Sequence, residues 1–238
     1  MANGHTEIRS ALLNSETTRN NLMPGKDKWP EISHALGGID RIGSLYDAIR
    51  KVHEASNPHE TPEARAMRYE KQYLSVVAET KKIAYEAAGK LDGFAESIRA
   101  RALHEAGLTS QPLTGPEIRA SLRAMSQADR DKAIHEAFES GDNEVLSSIY
   151  NHNRVTWGGT SKPLDVHFNL YIDKAAPDSV SDREALDKAT EGLDLAVGAF
   201  LDSAKKWRDP LTASKGFAQE KQYEQAEAAL KAAMGPQE

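Results

Sequence analysis

The chain has 238 residues, 39% of them hydrophobic and 6% aromatic, with 16 glycines, no cysteine and a formal net charge of −6 from 30 basic and 36 acidic side chains. Disulfides, thiolate metal sites and cysteine nucleophiles are therefore excluded, and no concentrated basic stripe offers the counterion-release mode of nucleic-acid binding. Much of the apolar content is alanine, which favours helix but buries little area, so the expectation is a thin-cored helical fold or one that borrows core from a partner.

Helix punctuation recurs from the first residues onward. Thr6 can cap a first helix in which Ile8, Leu12 and Leu22 share a face, stopped by Pro24-Gly25. Trp29-Pro30 reads as a short turn ending at Gly37-Gly38. From Ile39 a second helix carries Ile42, Tyr46, Ile49 and Val52 at three- and four-residue steps and ends at Asn57-Pro58. Thr61, Pro62 and Glu63 then form a cap, a first-position proline and a first-turn acid. No proline follows until Pro112, and Gly107-Leu108 supplies a Schellman-type ending. One helix over 62–106 is predicted, roughly 68 Å long at the helical rise.

That helix carries Val77, Ala84, Leu91 and Ile98 at intervals of seven, flanked by Tyr73, Thr80, Ala87 and Phe94. Such a heptad-like seam needs a partner helix, and Gly89 and Gly93 dilute it. The middle third is choppier. A helix opens at Pro116-Glu117 and runs through Leu122 and Met125. A second opens at the Ser126/Asp129 capping box and closes at Gly141, and a third is capped by Asp142. Asn151 to Ser161 is a loop around Trp157-Gly158-Gly159. Leu164 to Ala175 fits strand alternation through Val166, Phe168, Leu170 and Ile172, and fits a helix equally well. Pro163 and the lack of a partner strand favour helix.

Ser181-Asp182-Arg183-Glu184 reads as a capping box opening a helix with Leu186, Leu193, Phe200 and Trp207 at sevens, beside the small row Ala189, Ala196 and Ser203. This large row is either intramolecular core or an oligomer seam. Asp209-Pro210 breaks the helix and starts another, through Phe217, Tyr223, Ala226 and Leu230 to Gly235-Pro236. The predicted fold is all-α: an elongated helical bundle with one helix of about 45 residues and coiled-coil-like packing. Its segments are N-terminal helices over 1–57, the long central helix over 58–110, a short-helix subdomain over 111–180, and a C-terminal helical pair over 181–238 packing on the long helix.

Catalytic and metal motifs fail on spacing. A zinc-protease helix needs a second histidine four after the first. After His53, His104 and His135 those positions are Asn57, Leu108 and Glu139. Of the two Glu-x-x-His helices that a di-iron bundle needs, only Glu31-Ile32-Ser33-His34 is present. Asn151-His152-Asn153 shares letters with a nuclease signature but lacks the ligand spacing. Trp157-Gly158-Gly159-Thr160 has no phosphate-loop lysine, and no G-x-S-x-G elbow occurs. No catalytic residue, metal or cofactor is expected. The opening residues Met1 to His5 show no apolar signal core, and no run is long enough to span a membrane, so synthesis and use inside a cell, or incorporation into a particle built there, is expected.

Three stretches carry a resemblance: Asn57-Pro58 through Thr61-Pro62-Glu63-Ala64, Gly115-Pro116-Glu117-Ile118-Arg119 through Leu122, and Ala133 through Glu139-Ser140-Gly141-Asp142-Asn143-Glu144-Val145-Leu146. Over about residues 57–175 the chain resembles uncharacterised helical proteins encoded among the virion and morphogenesis genes of tailed bacteriophages. The resemblance implies a structural or assembly protein with other virion or assembly proteins, or copies of itself, as partners. It brings no active residues with it. The alternatives are a soluble scaffold, chaperone or regulator binding a partner helix as monomer or dimer, and an enzyme with an unrecognised site.

Overall fold

The computed structural model describes residues 29–55, 57–159 and 163–234. The fold is all-α. Among the described residues there are eight α-helices, one 3-10 turn and no strand: α1 Pro30–Glu54, α2 Pro62–Glu105, α3 Gly115–Ala124, α4 Gln127–Ser140, α5 Asn143–Tyr150, the turn Arg154–Thr156, α6 Pro163–Ala175, α7 Pro177–Lys205 and α8 Pro210–Met234. The helix expected from Thr6 and the Gly235-Pro236 stop lie outside the described residues.

The expected turn over Trp29 to Gly38 is instead the first part of α1, whose buried face begins at Ile32, Ala35 and Leu36 and continues through Ile39, Ile42, Tyr46 and Ile49. Tertiary packing overrides the glycine stop signal. A methyl group on Gly38 would sit 3.3 Å from Ile83 and 3.7 Å from Ala87, so the glycine admits α2 against the α1 backbone.

The 44-residue α2 is continuous through Gly89 and Gly93. Thr61 Oγ1 accepts from the Ala64 N–H at 3.2 Å at its start. At its end Gly107 adopts φ +69°, with Gly107 N donating to His104 O and Leu108 N donating to Leu103 O, which is the Schellman pair. The expected row and its neighbour divide the burial between them. Tyr73, Thr80, Ala87 and Phe94 are buried, as are Leu91 and Ile98, whereas Val77 and Ala84 are half-buried. A straight helix drifts by about 20° per heptad, so the row Val77-Ala84-Leu91-Ile98 rotates into the core only in its second half.

The chain forms two compact units, residues up to Leu91 together with Lys188 onward, and Asp92–Asp187; α2 and α7 contribute to both. In the first unit α1 runs antiparallel to α2, as His34 to Lys90, Arg41 to Glu79 and Arg65 to the His53 carbonyl show. α7 is also antiparallel to α2, its Ala204 carbonyl accepting from Tyr69 OH at 2.8 Å. Leu193 and Phe200 are buried here. α8 starts where Asp209 Oδ1 accepts from Thr212 N at 3.0 Å, and crosses α2 at Gly216, where an added methyl would stand 2.7 Å from the Glu63 carbonyl oxygen.

In the second unit Ala102, Leu108, Leu122, Ile134, Leu146, Ile149, Trp157, Phe168 and Ile172 form one core. The sequence signals of the short helices hold: Ser126 Oγ accepts from Asp129 N, Gly141 takes φ +70°, and Asp142 Oδ1 accepts from Glu144 N and Val145 N. Residues 163–175 form a helix that buries Phe168 and Ile172 and exposes Val166 and Leu170. The capping box at Ser181 does not open α7. Pro177 takes the first helical position, and Ser181 to Glu184 lie one turn inside. Asp182, buried, pairs there with Arg101, and Arg183 pairs with Asp173. Trp157 is buried, and its loop is tied to α4 by Arg130, which donates to Leu122 O at 2.8 Å, Met125 O at 3.0 Å and Gly158 O.

Candidate functional site

Two concave surfaces stand out, one in each unit. The first, an open cleft of about 350 Å3, lies where the end of α1, the start of α2 and the α7–α8 corner meet, lined by His53, Glu60, Arg65, Tyr69, Trp207 and Asp209 among others. It falls at the small end of the usual range of ligand pockets, about 300–1,000 Å3. Its lining residues His53, Tyr69 and Trp207 belong to a chain of rings that continues to the buried Tyr46. Tyr46 stacks on Trp207 at 5.5 Å, Trp207 on His53 at 5.1 Å and 10°, and His53 meets Tyr69 edge-on at 5.5 Å. Such pairs add about 0.5–1.5 kcal/mol each beyond area burial.

The charged groups of the cleft are engaged in building it. The last carbonyls of α1 have no partners within their own helix. Arg65 donates to His53 O at 2.8 Å and Arg68 to Val52 O at 3.3 Å, so two guanidinium groups from the start of α2 close that end. Arg68 also holds Glu60 in a bidentate pair with both distances 2.9 Å, which keeps that carboxyl below its usual range. Asp209 is likewise held low by the hydrogen bonds of Thr212. Burial raises the Tyr69 hydroxyl, which donates to Ala204 O. Deeper in, Glu70 and Arg208 form a fork at 2.9 and 2.5 Å, and the guanidinium lies 4.6 Å from the centre of the Tyr73 ring.

His53 is held below the usual imidazole range, first by burial and then by the charge of Arg65, with Glu54 opposing. This lowered pKa makes the stability of the fold depend on pH. Between the lowered pKa and the ordinary value near 6.5 the unfolded chain binds more protons than the folded one, so this contribution is present above about pH 6.5 and lost as pH falls through that range. His53→Phe, which keeps a ring against Trp207, is expected to flatten that part of the profile. Urea midpoints of both proteins from pH 7.5 to 5 check it; parallel slopes would count against the assignment.

The second surface, a groove of about 410 Å3, has an apolar floor that includes Ile98, Leu103, Ile172 and Leu186, and a rim of Arg99, Asp173, Arg183 and Asp187. It therefore brings together Ile98 and Leu186, one from each expected seam. Leu91, Leu193 and Phe200 belong instead to the buried core of the first unit, with Val77 and Ala84 at its margin, and Trp207 stands in the aromatic cleft. The cleft has no signature in the sequence. His53 and Trp207 are separated by most of the chain, and no spacing rule links them. Among the described residues no group of three or more His, Asp or Glu side chains is placed to hold a metal, and no helix is long and apolar enough to cross a membrane.

No family model, curated protein or solved structure matches this chain.

Proposed function

We propose that this is a non-enzymatic structural or assembly protein, a component of a tailed-phage particle or of its construction, that acts through helix–helix contacts. The carrying observation is the second half of α8. Every residue from Lys221 to Lys231 is exposed, including Tyr223 at 71% and Leu230 at 60%. A helical segment of that length is marginal alone in water, and helices are normally held by packing an apolar face. Here Tyr223, Ala226 and Leu230, at three- and four-residue steps, form such a face without cover from the described residues. The resemblance of residues 57–175 supports the particle setting. The engagement of the cleft's charged groups in structural bonds supports contact rather than catalysis.

Tyr223→Asp combined with Leu230→Asp is expected to abolish association with a protein partner or further copies while changing stability by no more than about 0.5 kcal/mol, since both positions are exposed. Absolute mass by light scattering across a wide concentration range, with circular dichroism melts alongside, checks both halves. Association that survives the double change would sink the reading. The groove along Ile98, Leu103, Ile172 and Leu186 favours a second reading, a soluble interaction factor that receives a partner's apolar side chains between a charged rim. In that case the double change at Tyr223 and Leu230 leaves binding intact and Leu186→Asp removes it.

A further inference from the structure

Gly216, the point where α8 touches α2, begins a row at sevens that continues through Tyr223 and Leu230. On α2, Glu63 and Met67 receive Gly216, and the same side of that helix continues through Leu74, Ala78 and Tyr85. Beyond Glu220 the α8 row is exposed, and so is the α2 row, with Leu74 at 55% and Tyr85 at 83%. One turn past Tyr85, Gly89 has open space where a side chain would stand. Both rows therefore continue an interface that is already formed within the chain, and nothing among the described residues covers either.

The charges along the rows are complementary in the sense the formed contact displays. Where the helices touch, a lysine of α2 meets an acid of α8, Lys71 to Glu220 at 2.8 Å, and Lys71 also lies over the Phe217 ring. Beyond it α8 presents Glu224 and Glu227, the latter also paired with Lys231 of its own helix at 2.8 Å, and α2 presents Lys81 and Lys82, all exposed. We infer that the occupant is a second copy of this chain: residues 221–231 of each copy pack on the Leu74–Tyr85 side of α2 in the other, reciprocally, with Glu224 and Glu227 facing Lys81 and Lys82. A two-fold arrangement uses each row once per copy and covers both. This rests on the proposed function and names its first partner.

Charge reversal with rescue tests it in full-length protein, at exposed positions that leave the fold intact. The wild-type chain is expected to be a concentration-dependent dimer by light scattering. Lys81→Glu with Lys82→Glu, or Glu224→Lys with Glu227→Lys, is expected to raise the dissociation constant about tenfold or more, and all four together are expected to restore it to within a few-fold. The natural absence of cysteine permits a second readout. Mixed chains carrying Leu74→Cys and Leu230→Cys separately should join across copies with a bifunctional thiol reagent. A monomer at every concentration, a dimer indifferent to both reversals, or a Leu74→Cys/Leu230→Cys double variant that closes only within one chain would each overturn the inference. A monomer whose α8 captures a different protein would overturn it while leaving the proposed function standing.

Discussion

Replacing Phe200 with aspartate is expected to unfold the first unit. Phe200 is 0% exposed within a single chain. Truncating a buried phenylalanine costs about 3–5 kcal/mol, and an unpaired carboxylate in its place costs more. The sum reaches the whole stability of a typical domain, about 5–15 kcal/mol. Circular dichroism should show loss of the cooperative melt and of much of the helical signal. Phe200→Leu, which keeps most of the volume, should retain the melt with a loss of about 1–1.5 kcal/mol. Had Phe200 and Leu193 formed an oligomer seam, the aspartate variant would instead be a helical monomer with an unchanged melt. That outcome would refute the intramolecular packing of α7 on α1 and α2.

Arg208→Met is expected to destabilise the same unit by about 3 kcal/mol, in line with removing one partner of a buried ion pair. The substitution leaves Glu70, 8% exposed, with its carboxylate unpaired, and takes the guanidinium from the face of Tyr73. Most of the cost is desolvated charge left without a partner, so Glu70→Gln added to Arg208→Met should recover a large part of it. Chemical denaturation of the two single variants and the double variant closes the cycle. Equal and additive losses would show that the fork contributes nothing as a pair. Because Arg208 sits one residue from Trp207, a loosened corner should also disturb the stack of Trp207 on His53, read as a change in tryptophan fluorescence.

Helix ends in this chain are written in short stretches of sequence. Thr61-Pro62-Glu63, Gly107-Leu108, Ser126 with Asp129, Gly141-Asp142 and Asp209-Pro210 each satisfy or terminate their own backbone groups within a few residues, and each boundary lies where those residues place it. The long α2 and the helical state of residues 163–175 followed from the same local chemistry and periodicity. At Gly37-Gly38 and at Ser181 a strong local signal is outweighed from a distance. Gly38 stays helical because α2 lies against it, and Pro177 claims the start of α7 ahead of Ser181, whose neighbour Asp182 is drawn to Arg101.

Contacts between distant residues were legible only in part. Periodicity marked Leu193, Phe200, Leu91 and Ile98 as face-forming, yet a helical stripe records only that a residue seeks cover and not what covers it. The fork of Glu70 with Arg208, the closure of the α1 carbonyls by Arg65 and Arg68, and the meeting of His53 with Trp207 join positions whose separation along the chain carries no signature. The exposed row of Tyr223 and Leu230 is the converse case. The three- and four-residue steps of Tyr223, Ala226 and Leu230 are visible in the sequence, and they become distinctive only because nothing among the described residues covers them, while the stripes of α1 and α7 in the same unit are buried. Capping is settled by hydrogen bonds a few residues long, whereas burial depends on which surfaces three-dimensional packing leaves over.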